Sequence, residues 1–434
     1  MILARYLFAL IIGITSAFAD QRPNVILLIS DDQTWDDYGF MGHPHIETPR
    51  LDQLASESLV YERGYVTAPL CRPSLASLVT GLHPHQHNIR GNDPVLPDGA
   101  NRRNSPEVFD DYRGKMTAPM HKLPNIVKEL ANAGYLTLQT GKWWEQDPKD
   151  HGFTHAMTHG ITSKRGRHGD EGLKIGRETH QPYYDIVDQS IAESKPFFMW
   201  YGVFLPHTPH NARKELVEKY SKVAPNESTA KYWANIEWFD EACGEVLDYL
   251  DQKSIADDTL IIYTCDNGWV PDPNRVARYI RSKRDPYEDG IRTPIMIRYP
   301  KRVAPNRNTN TLASNIDIAP TILKACGIPV PSEMAGLDLM DTSALAKRDQ
   351  VIVEDYAHDI DLSQLEDLSS DLQSRVVIQG WDKIIAWTDR TELYNLKTDP
   401  DDQIDLASQR KRKTARLEKA LDNWLKSSPK PLEE

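Results

Sequence analysis

The sequence predicts an α/β fold: a large doubly wound, mostly parallel sheet flanked by helices, followed by a small C-terminal antiparallel sheet with a terminal helix. Three observations carry that expectation. Apolar runs of strand length alternate with segments of helical spacing from residue 24 to about residue 326, as in successive βα units. The strand runs are apolar at consecutive positions, as in strands covered on both faces. Beyond residues 337–347 the pattern changes to short strands separated by turn residues.

The elements follow in order. Residues 1–19 read as a signal peptide, with a basic start at Arg5, an apolar run over 6–14 and Ala17-Phe18-Ala19 in small-x-small form. That run is shorter than the ~20 residues that span a bilayer, so no transmembrane anchor is expected. Cleavage would leave Asp20 first, in the periplasm or secreted. Residues 24–30 form the first strand, and 48–58 a helix with Leu51, Leu54 and Ala55 on one face. A helix at 123–133 stops at Gly134 and leads into a strand at 135–139. Further strands are expected at 196–204, 259–264 and 294–299, with helices at about 230–252 and 317–326. Short strands at 376–378, 383–387 and 392–396 form the second sheet, and 411–425 closes the chain as a Lys/Arg-rich helix with a solvated face. The stretches 88–119 and 160–180 are polar, without clear periodicity, and read as functional loops. The expected organisation is a signal peptide at 1–19, a catalytic domain at 20–340 and a smaller subdomain at 341–434.

Composition narrows the function. The 434 residues carry 51 Lys+Arg against 63 Asp+Glu, a net charge of −12, which argues against nucleic acid as a partner. Four cysteines in so long a chain supply no disulfide framework, and the core must come from burial.

Chemistry concentrates where parallel strands end, the place at which open α/β sheets bind ligands. Asp31-Asp32 follows the first strand, and Asp266-Asn267-Gly268 follows the strand at 259–264. Adjacent carboxylates repel unless a cation lies between them, and Asn adds a hard oxygen donor, so the pattern implies Ca²⁺ or Mg²⁺ and not zinc. Either pair alone fits a turn or a helix cap; their joint placement favours a metal. Cys71 lies just before a helix opened by Pro73, at the positive end of its dipole, although a buried structural cysteine fits that position too.

Cys71-Arg72-Pro73-Ser74 followed by Leu78-Val79-Thr80-Gly81 resembles the signature of the type I, formylglycine-dependent sulfatases, in the alkaline-phosphatase-like superfamily. The likeness continues in order through Asp31-Asp32, Thr140-Gly141-Lys142-Trp143, Pro206-His207-Thr208-Pro209, Cys265-Asp266-Asn267-Gly268, Lys283 and Asp317-Ile318-Ala319-Pro320-Thr321. It implies an exported sulfatase acting on sulfate esters, in particular of a sulfated carbohydrate. Cys71 would be converted to formylglycine by a formylglycine-generating enzyme, and its hydrated aldehyde would be the nucleophile. Asp31, Asp32, Asp266, Asn267 and residue 71 would surround one Ca²⁺; Lys142 and Lys283 would bind sulfate oxygens, and His207 would contact the sulfate and protonate the leaving oxygen. Two positions depart from the family pattern: Leu75 stands where the signature has arginine, and Trp144 where a histidine usually follows the lysine. Arg72 is the arginine near the first gap; His83, His85, His87, His151 and His210 are candidates for the second. Two further readings use the same loops: a sulfated-glycan binding protein with Cys71 unmodified, and a phosphate or phosphonate monoester hydrolase. Basic residues at Arg102-Arg103, at 164–168 and at Arg275, Arg278, Arg281, Lys283 and Arg284 suit a polyanionic glycan.

Overall fold

The computed structural model describes residues 22–161, 164, 166, 168–273 and 278–428. The proposed signal peptide, Arg165, Arg167 and Arg275 lie outside the described residues.

Nine strands form the main sheet. From one edge they run Ala313–Ser314, Leu59–Tyr65, Arg292–Arg298, Thr259–Cys265, Asn24–Ser30, Phe197–Gly202, Leu136–Gly141 and His155–Ala156, with Asn306–Asn308 also paired to Leu59–Tyr65. Every pairing is parallel except the two made by Arg292–Arg298. The central strand shows why its sequence is continuously apolar. Val25, Leu27 and Ile29 pack with Leu78, Ile126 and Ile322 on one face, while Ile26 and Leu28 pack with Leu51, Leu54 and Phe239 on the other. Helices Cys71–Thr80, Ile126–Asn132 and Ile318–Ala325 cover the first face; Pro49–Ser56, Gln181–Glu193 and Glu227–Gln252 cover the second.

Four antiparallel strands, Val351–Tyr356, Leu372–Gln379, Asp382–Trp387 and Thr391–Asn395, make the second sheet in chain order. The helix Lys411–Ser427 buries Leu417 and Leu421 against Ile352, Val377 and Ile384 of one face. The other face meets the main sheet through Val353, Val376 and Ile385 against Tyr65 and Leu312. Leu59–Tyr65 and Val351–Tyr356 were not expected as strands, and the stretch read as loop contains a helix, Pro106–Thr117. No described helix is long and apolar enough to cross a membrane.

Candidate active site

Three strand ends and one helix start converge at the carboxyl edge of the main sheet. Asp31 follows Asn24–Ser30 directly, and Asp32 adopts a left-handed backbone (φ 66°) that turns the chain at this point. Its amide donates to Asp266 Oδ1 at 3.1 Å, tying the first acidic loop to the second. Lys142 leaves Leu136–Gly141 through Gly141 (φ 71°), where any Cβ would collide with the Gly202 carbonyl. Only glycine permits that approach. Cys71 is the first residue of Cys71–Thr80, so the helix begins two residues ahead of Pro73.

The expected site residues form one cluster. Lys142 Nζ lies 2.7 Å from Asp31 Oδ1 and 3.2 Å from Asp266 Oδ2. Lys283 Nζ sits 2.6 Å from Asp32 Oδ1 and 2.9 Å from Cys71 Sγ. Asn267 Nδ2 donates to Asp32 Oδ1 at 2.7 Å, and His207 Nε2 faces Asp32 Oδ2 at 3.5 Å. Asp31, Asp32, Cys71 and Asp266 each offer a donor atom within 4.8 Å of the others. Among the described residues, Asp31 Oδ2 and Asn267 Oδ1 are buried acceptors without a hydrogen-bond partner. Buried acceptors are rarely left so, and oxygen donors of this kind suit a hard divalent cation. The residues present therefore fit calcium.

Electrostatics follow from burial and proximity. Burial raises the carboxyl of Asp31 and pushes that of Asp266 up to about 6; for Asp32 the charges of Lys283 and His207 outweigh burial and hold it below the ordinary range. Burial opposes the charge on Lys142 and Lys283, yet the surrounding carboxylates keep both ammonium groups above their ordinary value. Burial pushes the Cys71 thiol up to about 12, so an unmodified thiol is protonated at neutral pH. His207 is pushed down to about 3 by burial, with Lys283 and Lys142 adding to the effect. Its Nδ1 sits 2.7 Å from the Thr208 carbonyl, which makes Nδ1 the donor and turns Nε2 to the site.

The two departures from the signature meet in space. Leu75 and Trp144 line one small cavity with Val79, Trp143 and Trp200, in the apolar cluster beneath the sheet. Arg72 turns away from Cys71: it makes a bidentate pair with Glu145 at 2.8 and 2.6 Å and reaches Thr117 at 2.8 Å. Of the five histidine candidates, His210 lies close enough to the cluster for the charges of Asp32 and His207 to act on it, while His83 Nδ1 and both ring nitrogens of His151 are buried without a hydrogen-bond partner among the described residues. His85 pairs with Glu354 and His87 with Ser77; His83 packs on Trp424, His151 on His121, and His210 on Tyr232 and Trp269. A further imidazole, His168, which the sequence reading placed only in a basic run, packs in the ring layer next to His207. Its ring lies 4.7 Å from Trp144 edge-on, 5.5 Å from Phe204 in a stack and 6.3 Å from His207. Its one sequence signal is a place in the polar stretch 160–180. Of the basic residues, Arg278 pairs with Asp285 at 2.8 Å and Arg281 with Asp402 at 3.4 Å.

Two ammonium groups and an imidazole beside oxygen donors that fit a cation suit a tetrahedral oxyanion. A family model described as Sulfatase matches residues 23–328, and one described as N-sulphoglucosamine sulphohydrolase, C-terminal, matches residues 279–429. The chain is 28% identical over 367 residues to N-acetylgalactosamine-6-sulfatase of Canis lupus familiaris, which covers 76% of this chain and 67% of that one. Endo-4-O-sulfatase of Bacteroides thetaiotaomicron is 26% identical over 374 residues, covering 73% and 72%. In fold the chain resembles the PsFucS1 sulfatase from Pseudoalteromonas sp., with a TM-score of 0.69 at 20% identity over 95% of this chain and 92% of that one. Since the matched span contains every residue of the cluster, the chain belongs to the sulfatase family and is an arylsulfatase-like sulfuric ester hydrolase.

Proposed function

We propose that this sulfatase is exported and removes sulfate from a sulfated carbohydrate, using a formylglycine made from Cys71 and one calcium ion. The observation that carries the reading is the pair of buried, unpartnered oxygens, Asp31 Oδ2 and Asn267 Oδ1, beside Cys71 and two ammonium groups. The sugar and sulfate named in the relatives support the substrate class. Asp31, Asp32, Asp266 and Asn267 would hold the ion, which supplies Lewis acidity to the sulfate, and hydrated formylglycine supplies the nucleophilic oxygen.

The remaining roles belong to side chains of the chain itself. Lys142 and Lys283 bind sulfate oxygens and stabilise the charge that grows on them as the ester bond breaks. His207 is neutral in the free site because burial and the two ammonium groups oppose its charge. An anionic ester bound to those ammonium groups offsets them, so Nε2 gains a proton and delivers it to the departing alcohol oxygen. His168 lies on the same aromatic layer, its ring 6.3 Å from that of His207.

The test combines two measurements on protein co-produced with a formylglycine-generating enzyme. Mass spectrometry of the peptide spanning Cys71 is expected to find the aldehyde. A screen over sulfated mono- and oligosaccharides is expected to find desulfation that a calcium chelator abolishes. Turnover with an unmodified thiol would overturn the formylglycine route, and turnover indifferent to chelation would overturn the ion. A higher rate on aryl phosphate than on aryl sulfate would favour phosphate ester hydrolysis. Export predicts mature protein beginning at Asp20 on N-terminal sequencing.

A further inference from the structure

An open groove of about 740 Å³ lies outside the cluster described above, between the first polar insertion and the segment that follows Val351–Tyr356. Its floor is a two-stranded parallel ladder in which Asp93 stands opposite Asp359. Asn92 ties that floor to the catalytic helix. The amide of Arg72, the residue after Cys71, donates to Asn92 Oδ1 at 2.9 Å, and the amide of Asn92 donates to the His358 carbonyl at 2.9 Å. The groove wall therefore hangs from the residue next to the nucleophile position.

The chemistry of the lining is mixed. Asp93, His358 and Asp359 bring donor atoms within 4.8 Å of one another, and Asp359 is exposed. His358 Nδ1 is 2.6 Å from Asp359 Oδ1, and Asp93 faces Arg113 at 3.3 Å. Arg102 and Arg103 stand on the rim. Two carboxylates and an imidazole at this spacing suit a pair of neighbouring hydroxyls, each needing an acceptor for its proton and a donor for its lone pair. The same three groups could also take a cation, an outcome the experiment below separates. Two adjacent guanidinium groups at the rim suit a carboxylate or sulfate.

We propose that this groove is the subsite for the sugar unit adjoining the one that loses sulfate: a hexose whose vicinal hydroxyls meet Asp93, His358 and Asp359, and whose anionic substituent meets Arg102-Arg103. The proposal rests on the carbohydrate reading above. It makes the natural substrate an anionic oligosaccharide of at least two units, and it places the glycan across the insertion and the segment that follows Val351–Tyr356.

The experiment compares the wild type with Asp359→Asn and Arg103→Gln, both exposed positions. The substrates are an aryl sulfate and the uronate-bearing sulfated disaccharide that the wild type desulfates fastest among chondroitin, dermatan and heparan sulfate digests. Each variant is expected to lower kcat/KM on the disaccharide at least tenfold relative to kcat/KM on the aryl sulfate, chiefly through KM. An unchanged ratio overturns the subsite. So does a calcium or zinc binding site, seen by calorimetry in the wild type and abolished by Asp359→Asn, or a wild type that turns over the aryl sulfate and no disaccharide. Absence of aryl sulfate turnover in the wild type counts against the proposed catalysis instead. Calorimetric binding of the chondroitin 6-sulfate disaccharide then decides the groove, with loss in Asp359→Asn supporting it and equal binding overturning it.

Discussion

At the scale of single residues the site is a balance of charges that none of its members can keep alone. Lys283 touches both Asp32 and Cys71, so its removal would take a positive charge from the proposed sulfate site and leave Asp32 to Asn267 and the more distant Lys142. Lys283→Ala is expected to lower kcat on an aryl sulfate by roughly 10²- to 10³-fold, the range for loss of one donor to a developing oxyanion; steady-state kinetics check it. His168→Ala is expected to lower kcat more than it raises KM, because a second imidazole at the site acts on protons rather than on affinity. Equal effects on both parameters would make His168 a wall of the pocket. The acidic pairs and Cys71 were readable from the chain because each lies at a strand or helix end, whereas Lys142, Lys283 and His207 entered only through the resemblance of their segments to the sulfatases. His168 was not readable, because its nearness to Trp144 and Phe204 depends on how a long polar loop folds back, which spacing along the chain does not encode.

At the scale of elements, Leu75 on the catalytic helix and Trp144 beyond the third central strand act as one change rather than two. They share a cavity lined by apolar side chains and by Glu145, whose carboxylate is already paired with Arg72, so arginine at 75 alone would bury a guanidinium against Trp144 and compete for that carboxylate, and histidine at 144 alone would leave part of that space empty. Each single replacement, Leu75→Arg and Trp144→His, is expected to cost on the order of 3 kcal/mol. The double variant is expected to fall short of their sum by about 0.5–3 kcal/mol, measured by denaturant unfolding in a double-mutant cycle. Additive effects would mean that the two positions changed independently. The same physics explains which strands were legible. Asn24–Ser30 announces itself because both faces are apolar. Leu59–Tyr65 and Val351–Tyr356 carry Glu62, Arg63, Glu354 and Asp355, which break the apolar pattern. Their charge is absorbed by partners distant in sequence, as where Arg63 stacks on Trp381 at 3.9 Å.

At the scale of the whole molecule, buried polar pairs hold the second sheet together and tie it to the short helices Pro84–His87 and Glu288–Ile291, alongside its apolar contact with the main sheet. Glu354, on Val351–Tyr356, lies 2.8 Å from His85 and 2.9 Å from Arg375, while Lys383 bridges Glu288 at 3.0 Å and Asp402 at 2.7 Å. Burial opposes ionisation of Glu354, but His85 and Arg375 outweigh it and hold its carboxyl below the ordinary range. The folded state therefore gains from this group fully above about pH 4.3, the value for an unperturbed glutamate, and loses that gain as the pH falls further. Glu354→Gln is expected to cost roughly 3–5 kcal/mol near neutrality and to flatten the acid limb of stability against pH; thermal unfolding at pH 7 and pH 3 checks both.

The helix that begins with Cys71 is buried along its whole length, and Cys71 itself is only 1% exposed. Under the proposed conversion of Cys71, an enzyme acting on that side chain would have to reach it before the fold closes. Adding a formylglycine-generating enzyme to the finished protein is then expected to leave the thiol unchanged, and adding it during unfolding and refolding to convert it.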